Sequence, residues 1–176
     1  MNEVNTDKSV RLSPHFTLGE LTKTSYHTAE GNIPGHMAME NLKRLCGWLE
    51  ILRERYNRRY GDVRREGVSR NDSDIPIVIS SGYRSEEVNR KCRGAKGSNH
   101  LTGCAVDIRC LGPEQMIRYA RLLLDTADEN GWAFDELIME QRGTTYWVHF
   151  AVRPKDNRRK ILFDCRQKLI SFSHRY

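Results

Sequence analysis

Apolar residues recur along this chain with two different periods, and the change of period marks out its elements. After residue 36, Leu42, Leu45, Leu49, Leu52 and Tyr56 repeat at intervals of three and four. That spacing predicts one long amphipathic helix. A second helix is predicted from Pro113, with Met116, Ile117, Ala120, Leu123, Leu124 and Ala127 on one face and Asn130-Gly131 as its end. Leu12–Leu21 reads as a turn and a short helix begun by Ser13-Pro14, with Phe16, Leu18 and Leu21 turned inward. Glu86–Cys92 has room for two helical turns.

Elsewhere the period is two. Ile75–Ser80 is a short β-rich run closed by Ser81-Gly82. In Ala105–Cys110, Val106, Ile108 and Cys110 point one way and Ala105, Asp107 and Arg109 the other. Phe134–Glu140 and Tyr146–Arg153 flank Gln-Arg-Gly-Thr-Thr, which predicts a hairpin with a medium loop. Residues 22–36, Gly61–Asp74 and Gly94–Gly103 read as loops, and residues 1–11 as loose. The last twenty or so residues are basic and mixed and show no assignable pattern. Helices first, strands after and a hairpin between neighbours predict an α+β fold. It has two layers, a mostly antiparallel sheet with helices on one face.

Composition narrows the class. The 176 residues suit one domain, and 38% hydrophobic content is enough for its core. Lys and Arg number 29 against 23 Asp and Glu, a net charge of +6. The pI near 9.2 excludes an acidic buffer-like protein and suits polyanionic surroundings: nucleic acid, a lipid surface or an acidic wall polymer. Five cysteines, odd in number and without a CxxC, read as free thiols in a reducing compartment rather than a disulfide framework or a cysteine-rich zinc site. No stretch reaches the roughly 18 apolar residues of a membrane span. The opening MNEVNTDKSVRLSPHF lacks the apolar core of a secretory signal, so a cytoplasmic protein as synthesised is expected.

Among six histidines, what matters is convergence with carboxylates. His100 lies in Gly97-Ser98-Asn99-His100, Asp107 on the polar side of the next strand, and His149 on the polar side of Trp147–Val152. If the two strands share a sheet, Asp107 and His149 stand on one surface, and His100 can fold over them. Two imidazoles and a carboxylate suit a zinc ion with a fourth position open to water. The spacing equally fits a strand aspartate in a surface ion pair and a solvent-facing histidine. Pairing Leu137 and Met139 with Phe150 and Val148 would place Ile138 and Glu140 on the face of Trp147 and His149. Glu140 is then diagonal to His149, with Cα atoms roughly 7–8 Å apart. A carboxylate there can accept a proton from water; the alternative is an exposed residue at a hairpin end. Arg84, just past the strand in Ser81-Gly82-Tyr83-Arg84-Ser85, is a fork for a carboxylate or an oxyanion, or an ordinary surface arginine.

Taken together, Ser81–Ser85, the run from Ser98 through His100 and Gly103 to Asp107 (an SxHxxGxAxD string), and Trp147-Val148-His149 resemble the zinc D-alanyl-D-alanine carboxypeptidase family. That family includes dipeptidases and phage cell-wall endopeptidases and shares its fold with the amino-terminal signalling domain of hedgehog proteins. The resemblance runs from about Ile75 to Arg153 and extends to Leu12 through Ser13–Leu21, which is similar to the opening of a subgroup from phages and gut bacteria. It implies Zn2+ held by His100, Asp107 and His149, a substrate carbonyl or carboxylate steadied by Arg84, and help from Ser98 in positioning substrate. Many members place an acidic base three residues before the last histidine ligand. Here Tyr146 stands there, and a phenol with a pKa near 10 is no base at neutral pH. Glu140 takes that role on the facing argument above.

The implied activity is zinc-dependent hydrolysis of peptidoglycan stem peptides, as a D-Ala carboxypeptidase or an endolysin-type endopeptidase acting on the wall after release. On this reading residues 1–176 are a single peptidase-like domain with a motif-bearing core at about 75–153. The expected partner is a peptidoglycan peptide, with no nucleic acid. An alternative is a non-catalytic, zinc-stabilised module that binds cell wall or protein; the displaced base favours it and the retained Arg84 opposes it. A nucleic-acid binder would rest only on the pI and on Arg53–Arg59, which also reads as a solvated helix face.

Overall fold

The computed structural model describes residues 7–61 and 74–165, without the side chain of Cys165. Its helices are α1 (Leu18–Leu21), α2 (His36–Tyr60), α3 (Glu86–Lys91) and α4 (Pro113–Asn130). Its strands are β1 (Ile79–Ser81), β2 (Ala105–Cys110), β3 (Glu136–Arg142), β4 (Thr145–Ala151) and β5 (Lys160–Cys165), with a 3-10 turn at Asn99–Thr102. The strands form one sheet in the order β1-β2-β4-β3-β5. All neighbours are antiparallel except β3 and β5, which run parallel. The α+β class with a mostly antiparallel sheet is therefore as expected.

The core lies between one sheet face and the two long helices. Leu42, Leu45, Leu49 and Leu52 of α2 are buried with Met116, Tyr119, Ala120, Leu123 and Ala127 of α4. They meet Val106, Ile108, Val148, Phe150 and Leu137 from the sheet. Trp48 of α2 packs its ring 5.1 Å from Phe150 and 5.3 Å from Trp132. The other sheet face carries the polar residues of β2, β3 and β4, as strict alternation requires. Among the described residues no helix is long and apolar enough to cross a membrane.

Several elements differ in detail from expectation. The first helix starts at Leu18, capped by Thr17, not at Ser13-Pro14. Thr17 and Glu20 form a reciprocal capping box, with the Glu20 amide donating to Thr17 Oγ1 at 3.3 Å and the Thr17 amide to Glu20 Oε2 at 2.8 Å. In α4, Ile117 is 57% exposed and Tyr119 takes the inward place. The buried row runs 116, 119/120, 123, 126/127, and residue 117 falls about 100° off it at 3.6 residues per turn. The strand expected at Ile75–Ser80 is confined to Ile79–Ser81. The β3–β4 connection is tighter than expected, with Gly143 in the left-handed region at φ +58° between strands that pair up to Arg142 and Thr145. The expected 94–103 loop contains the 3-10 turn, and β5 lies where no pattern was assignable. The expected loop at Gly61–Asp74 falls almost wholly outside the described residues.

Two glycines let separate segments touch backbone to backbone beside the sheet's polar face. A Cβ on Gly82 would lie 2.2 Å from the Leu21 carbonyl oxygen. Gly103, at φ +70°, ends the 3-10 turn against α2, where a Cβ would lie 2.5 Å from the Ala38 carbonyl oxygen. Gly82→Ala and Gly103→Ala are each expected to cost about 1–3 kcal/mol of stability, read as a lower midpoint in thermal or urea unfolding. Alanine at the open position Gly97, where nothing lies within 4 Å, is the control.

Candidate functional site

Backbone pairing assembles the site. Asp107 of β2 stands directly opposite His149 of β4, and Ile138 of β3 stands opposite His149 on its other side. His100 arrives from the 3-10 turn. Its carbonyl accepts from the Arg84 amide at 3.0 Å, which ties the turn to the segment after β1. That segment is itself clamped. The Tyr83 amide donates to the Leu21 carbonyl at 2.7 Å. Asn32 donates to the Tyr83 carbonyl at 2.8 Å and accepts from the Ser85 amide at 2.7 Å.

His100, Asp107 and His149 form a cluster with the donor set of a metal site. His100 Nε2 is 3.2 Å from Asp107 Oδ1 and 3.2 Å from His149 Nδ1, which is 2.9 Å from the same Asp107 oxygen. His100 Nδ1 lies 2.6 Å from the Gly82 carbonyl oxygen. A carbonyl only accepts, so Nδ1 carries the proton and Nε2 of the neutral ring presents its lone pair to the cluster. His149 Nε2 lies 3.5 Å from Glu136 Oε2, which favours a proton there and a lone pair on Nδ1. With His149 singly protonated, the form a bound metal ion requires, three electron-pair donors face one point. Ligands about 2.0–2.1 Å from a tetrahedral zinc lie about 3.3 Å apart, close to the spacings seen here. The residues present fit such an ion, and outer hydrogen bonds of this kind are what aim metal-binding imidazoles.

Charge is strongly perturbed here. Burial works against the Asp107 carboxylate, yet His100 and His149 beside it hold its pKa well below the ordinary 3.8. Burial also lowers the His149 pKa, but the hydrogen bonds and charges of Asp107 and Glu136 outweigh it and raise it to about 9. Glu136 is brought down to about 2, chiefly by its interaction with His149 and against the effect of burial. Glu140 moves the other way. Burial and then the Asp107 charge raise its carboxyl above 4.5, although His149 and Arg142 pull it down.

The sequence-derived candidates occupy distinct places. Arg84 Nη2 is 2.6 Å from Asp107 Oδ2, and its Nε donates to Ser81 Oγ at 2.8 Å. This leaves Asp107 Oδ1 to the imidazoles. Glu140 pairs with Trp147, the register expected from the facing argument. Tyr146 packs against the core with its hydroxyl accepting from Gln141 at 3.0 Å, so the place of the usual base faces away from the cluster. Ser98 caps the 3-10 turn, accepting from the His100 amide at 3.3 Å.

Sequence reasoning missed Glu136 and Asn99. Glu136 is the other diagonal neighbour of His149, two residues before Ile138 as Glu140 is two after, so the rule that found one finds both. Asn99 Nδ2 donates to Asp135 Oδ2 at 2.7 Å and to Glu136 Oε2 at 2.9 Å. Asp135, fully buried, accepts from Arg158 Nη2 at 2.7 Å and lies 3.0 Å from Arg153. These partners come from loops, where no periodicity points to them.

Residues 67–134 match the family Peptidase M15. The matched stretch contains Arg84, Ser98, His100 and Asp107 and stops short of Glu136, Glu140 and His149. Among solved structures, the chain is similar to the crystal structure of the Serratia marcescens L-Ala D-Glu endopeptidase ChiX. Identity is 20% over 67% of this chain and 87% of that one, with a TM-score of 0.36. No curated protein matches the chain.

The pKa shifts carry signs that unfolding can check in chelator-treated protein. His149 is raised, so its contribution to stability is complete below pH 6.5 and is lost as pH rises through about 9. Glu136 is lowered, so its contribution is present above 4.5 and is lost as pH falls through about 2. Thermal midpoints should therefore fall toward both extremes. In Glu136→Gln the imidazole pKa of His149, followed by NMR, should move back toward 6.5; an unmoved pKa would contradict the pairing.

Proposed function

On the premise that residues 67–134 belong to the Peptidase M15 family, we propose that the chain is one zinc-dependent peptidase domain. We infer that it hydrolyses peptide bonds of peptidoglycan stem peptides. The observation that carries this reading is the convergence of His100 Nε2, Asp107 Oδ1 and His149 Nδ1, with the far nitrogens of both rings already engaged. These three residues would hold the ion. When bound, zinc supplies Lewis-acid polarisation of the scissile carbonyl and makes water a better nucleophile near neutral pH.

The chain's own groups do the rest. Glu140, on the same sheet face as His149, takes a proton from the attacking water and delivers it to the leaving amine. Its raised pKa suits both directions of transfer, because a carboxyl nearer neutrality gives a proton back more readily. Arg84, anchored through Ser81 and Asp107, offsets the negative charge that grows on the carbonyl oxygen. Ser98 positions the substrate backbone at the wall of the adjoining cavity. The purely binding alternative gains nothing from a half-buried carboxylate with a raised pKa on the cluster's face. The arginine-rich end of α2 offers little to nucleic acid, since Arg53 pairs with Asp74, Arg55 with Glu129 and Arg58 with Glu54.

The direct test digests purified wall fragments with and without a chelator and identifies the products by mass. Cleavage that stops with the chelator and returns with zinc supports the reading; cleavage indifferent to the chelator defeats it. His100→Ala, Asp107→Ala and His149→Ala should each lose zinc, measured by metal analysis of the purified protein. Glu140→Gln should retain zinc while turnover drops about 100-fold or more. The acid limb of the wild-type pH–rate profile should lie above 4.5, the ordinary value for a glutamate.

A further inference from the structure

Between the start of α2, the 3-10 turn and the segment after β4 lies a cavity of about 700 Å³, large enough for a short peptide. None of His100, Asp107 and His149 lines it, but chain neighbours of the cluster do. Tyr83 and Asn99 line it, each immediately ahead in the chain of Arg84 and His100. Asn99 also donates to Glu136 Oε2 at 2.9 Å, and that oxygen lies 3.5 Å from His149 Nε2. The cavity and the cluster are therefore built on one hydrogen-bonded frame.

Its charged wall is one-sided. Lys96, Arg153 and Lys155 line it against a single carboxylate, Asp156. Arg153 is held in place, with Nε donating to Asn99 Oδ1 at 2.8 Å and lying 3.0 Å from the buried Asp135. Both lysines are exposed and have no acidic partner among the described residues. A neutral or cationic chain lying here would gain nothing from that surplus, whereas an anionic one would be attracted by it.

We propose that this cavity is a substrate subsite for a peptide segment bearing free carboxylates, which Lys96 and Lys155 select over the same segment with its carboxylates amidated. The inference rests on the peptidase reading above and deepens it, because it names the chemical form of stem peptide that the site prefers. Arg153 serves as a fixed part of the wall, and the two lysines supply the discrimination.

The experiment uses two synthetic stem peptides of identical sequence, one with free side carboxylates and one with them amidated. For the zinc-loaded full chain, kcat and KM are measured in wild type, in Lys96→Gln/Lys155→Gln and in Lys155→Glu. For the same full chain with a chelator present, Kd for both peptides is measured by calorimetry, where turnover plays no part. The double variant should raise KM and Kd for the acidic peptide about five- to tenfold. Its kcat should stay within about twofold, with the amidated peptide unaffected, and Lys155→Glu should shift the acidic peptide in the same direction. Equal effects on both peptides, or none, overturn the subsite. If wild type cleaves neither peptide, the peptidase reading fails separately. The calorimetric comparison still decides the subsite, since equal affinity for the two peptides overturns it.

Discussion

Asp107 stands directly across the β2–β4 ladder from His149, and the candidate site follows from that one pairing. Directly opposed residues in an antiparallel ladder have Cα atoms about 4.5–5.5 Å apart, which lets a short carboxylate reach an imidazole without strain. The register is enforced from the opposite face. Val106, Ile108, Val148 and Phe150 are all fully buried, and a slip of one residue would turn them to the polar side and drive Asp107 into the core. Hydrophobic burial on one side of the sheet thus positions the chemistry on the other. The third member, His100, is held from outside the ladder by the Gly82 carbonyl and by its own backbone bond to Arg84.

The site concentrates charge that would be costly to bury alone. Asp107 is offset by Arg84 and two imidazoles, and Asp135 by Arg153, Arg158 and Asn99. Each carboxylate also ties together segments far apart in the chain. Asp135 joins the 3-10 turn to the loop before β5, and Glu136 joins the same turn to β4. The polar network therefore shapes the adjoining cavity wall as well as the cluster. The net charge of +6 takes on local meaning there. Arg53, Arg55 and Arg58 toward the end of α2 are ion-paired, whereas Lys96 and Lys155 are left to face the cavity.

Much of this was legible residue by residue. The spacing of Leu42, Leu45, Leu49 and Leu52 identified α2, and the alternation in Ala105–Cys110 put Asp107 opposite the core side. The hairpin argument assigned Leu137 to Phe150 and Met139 to Val148, and both pairs stand in the ladder. What escaped was long-range or non-periodic. Strand β5 is recruited in parallel to β3 through a connection with no sequence signature. Ile117 satisfies a loose hydrophobic stripe yet points outward, because α4's orientation is chosen by its contacts with α2 and the sheet. Glu136 obeys the same diagonal rule as Glu140, but only the latter lay near the place where an acidic base was sought.

By itself the sequence determined which side chains share a face. Periods of two and 3.6 are properties of the local backbone, and they sort polar from apolar positions before any strand finds its neighbour. Tertiary structure alone decided which nitrogens of His100 and His149 look inward. Their tautomers depend on a carbonyl at Gly82 and a carboxylate at Glu136, partners brought within reach only once the sheet and its covering loops have closed.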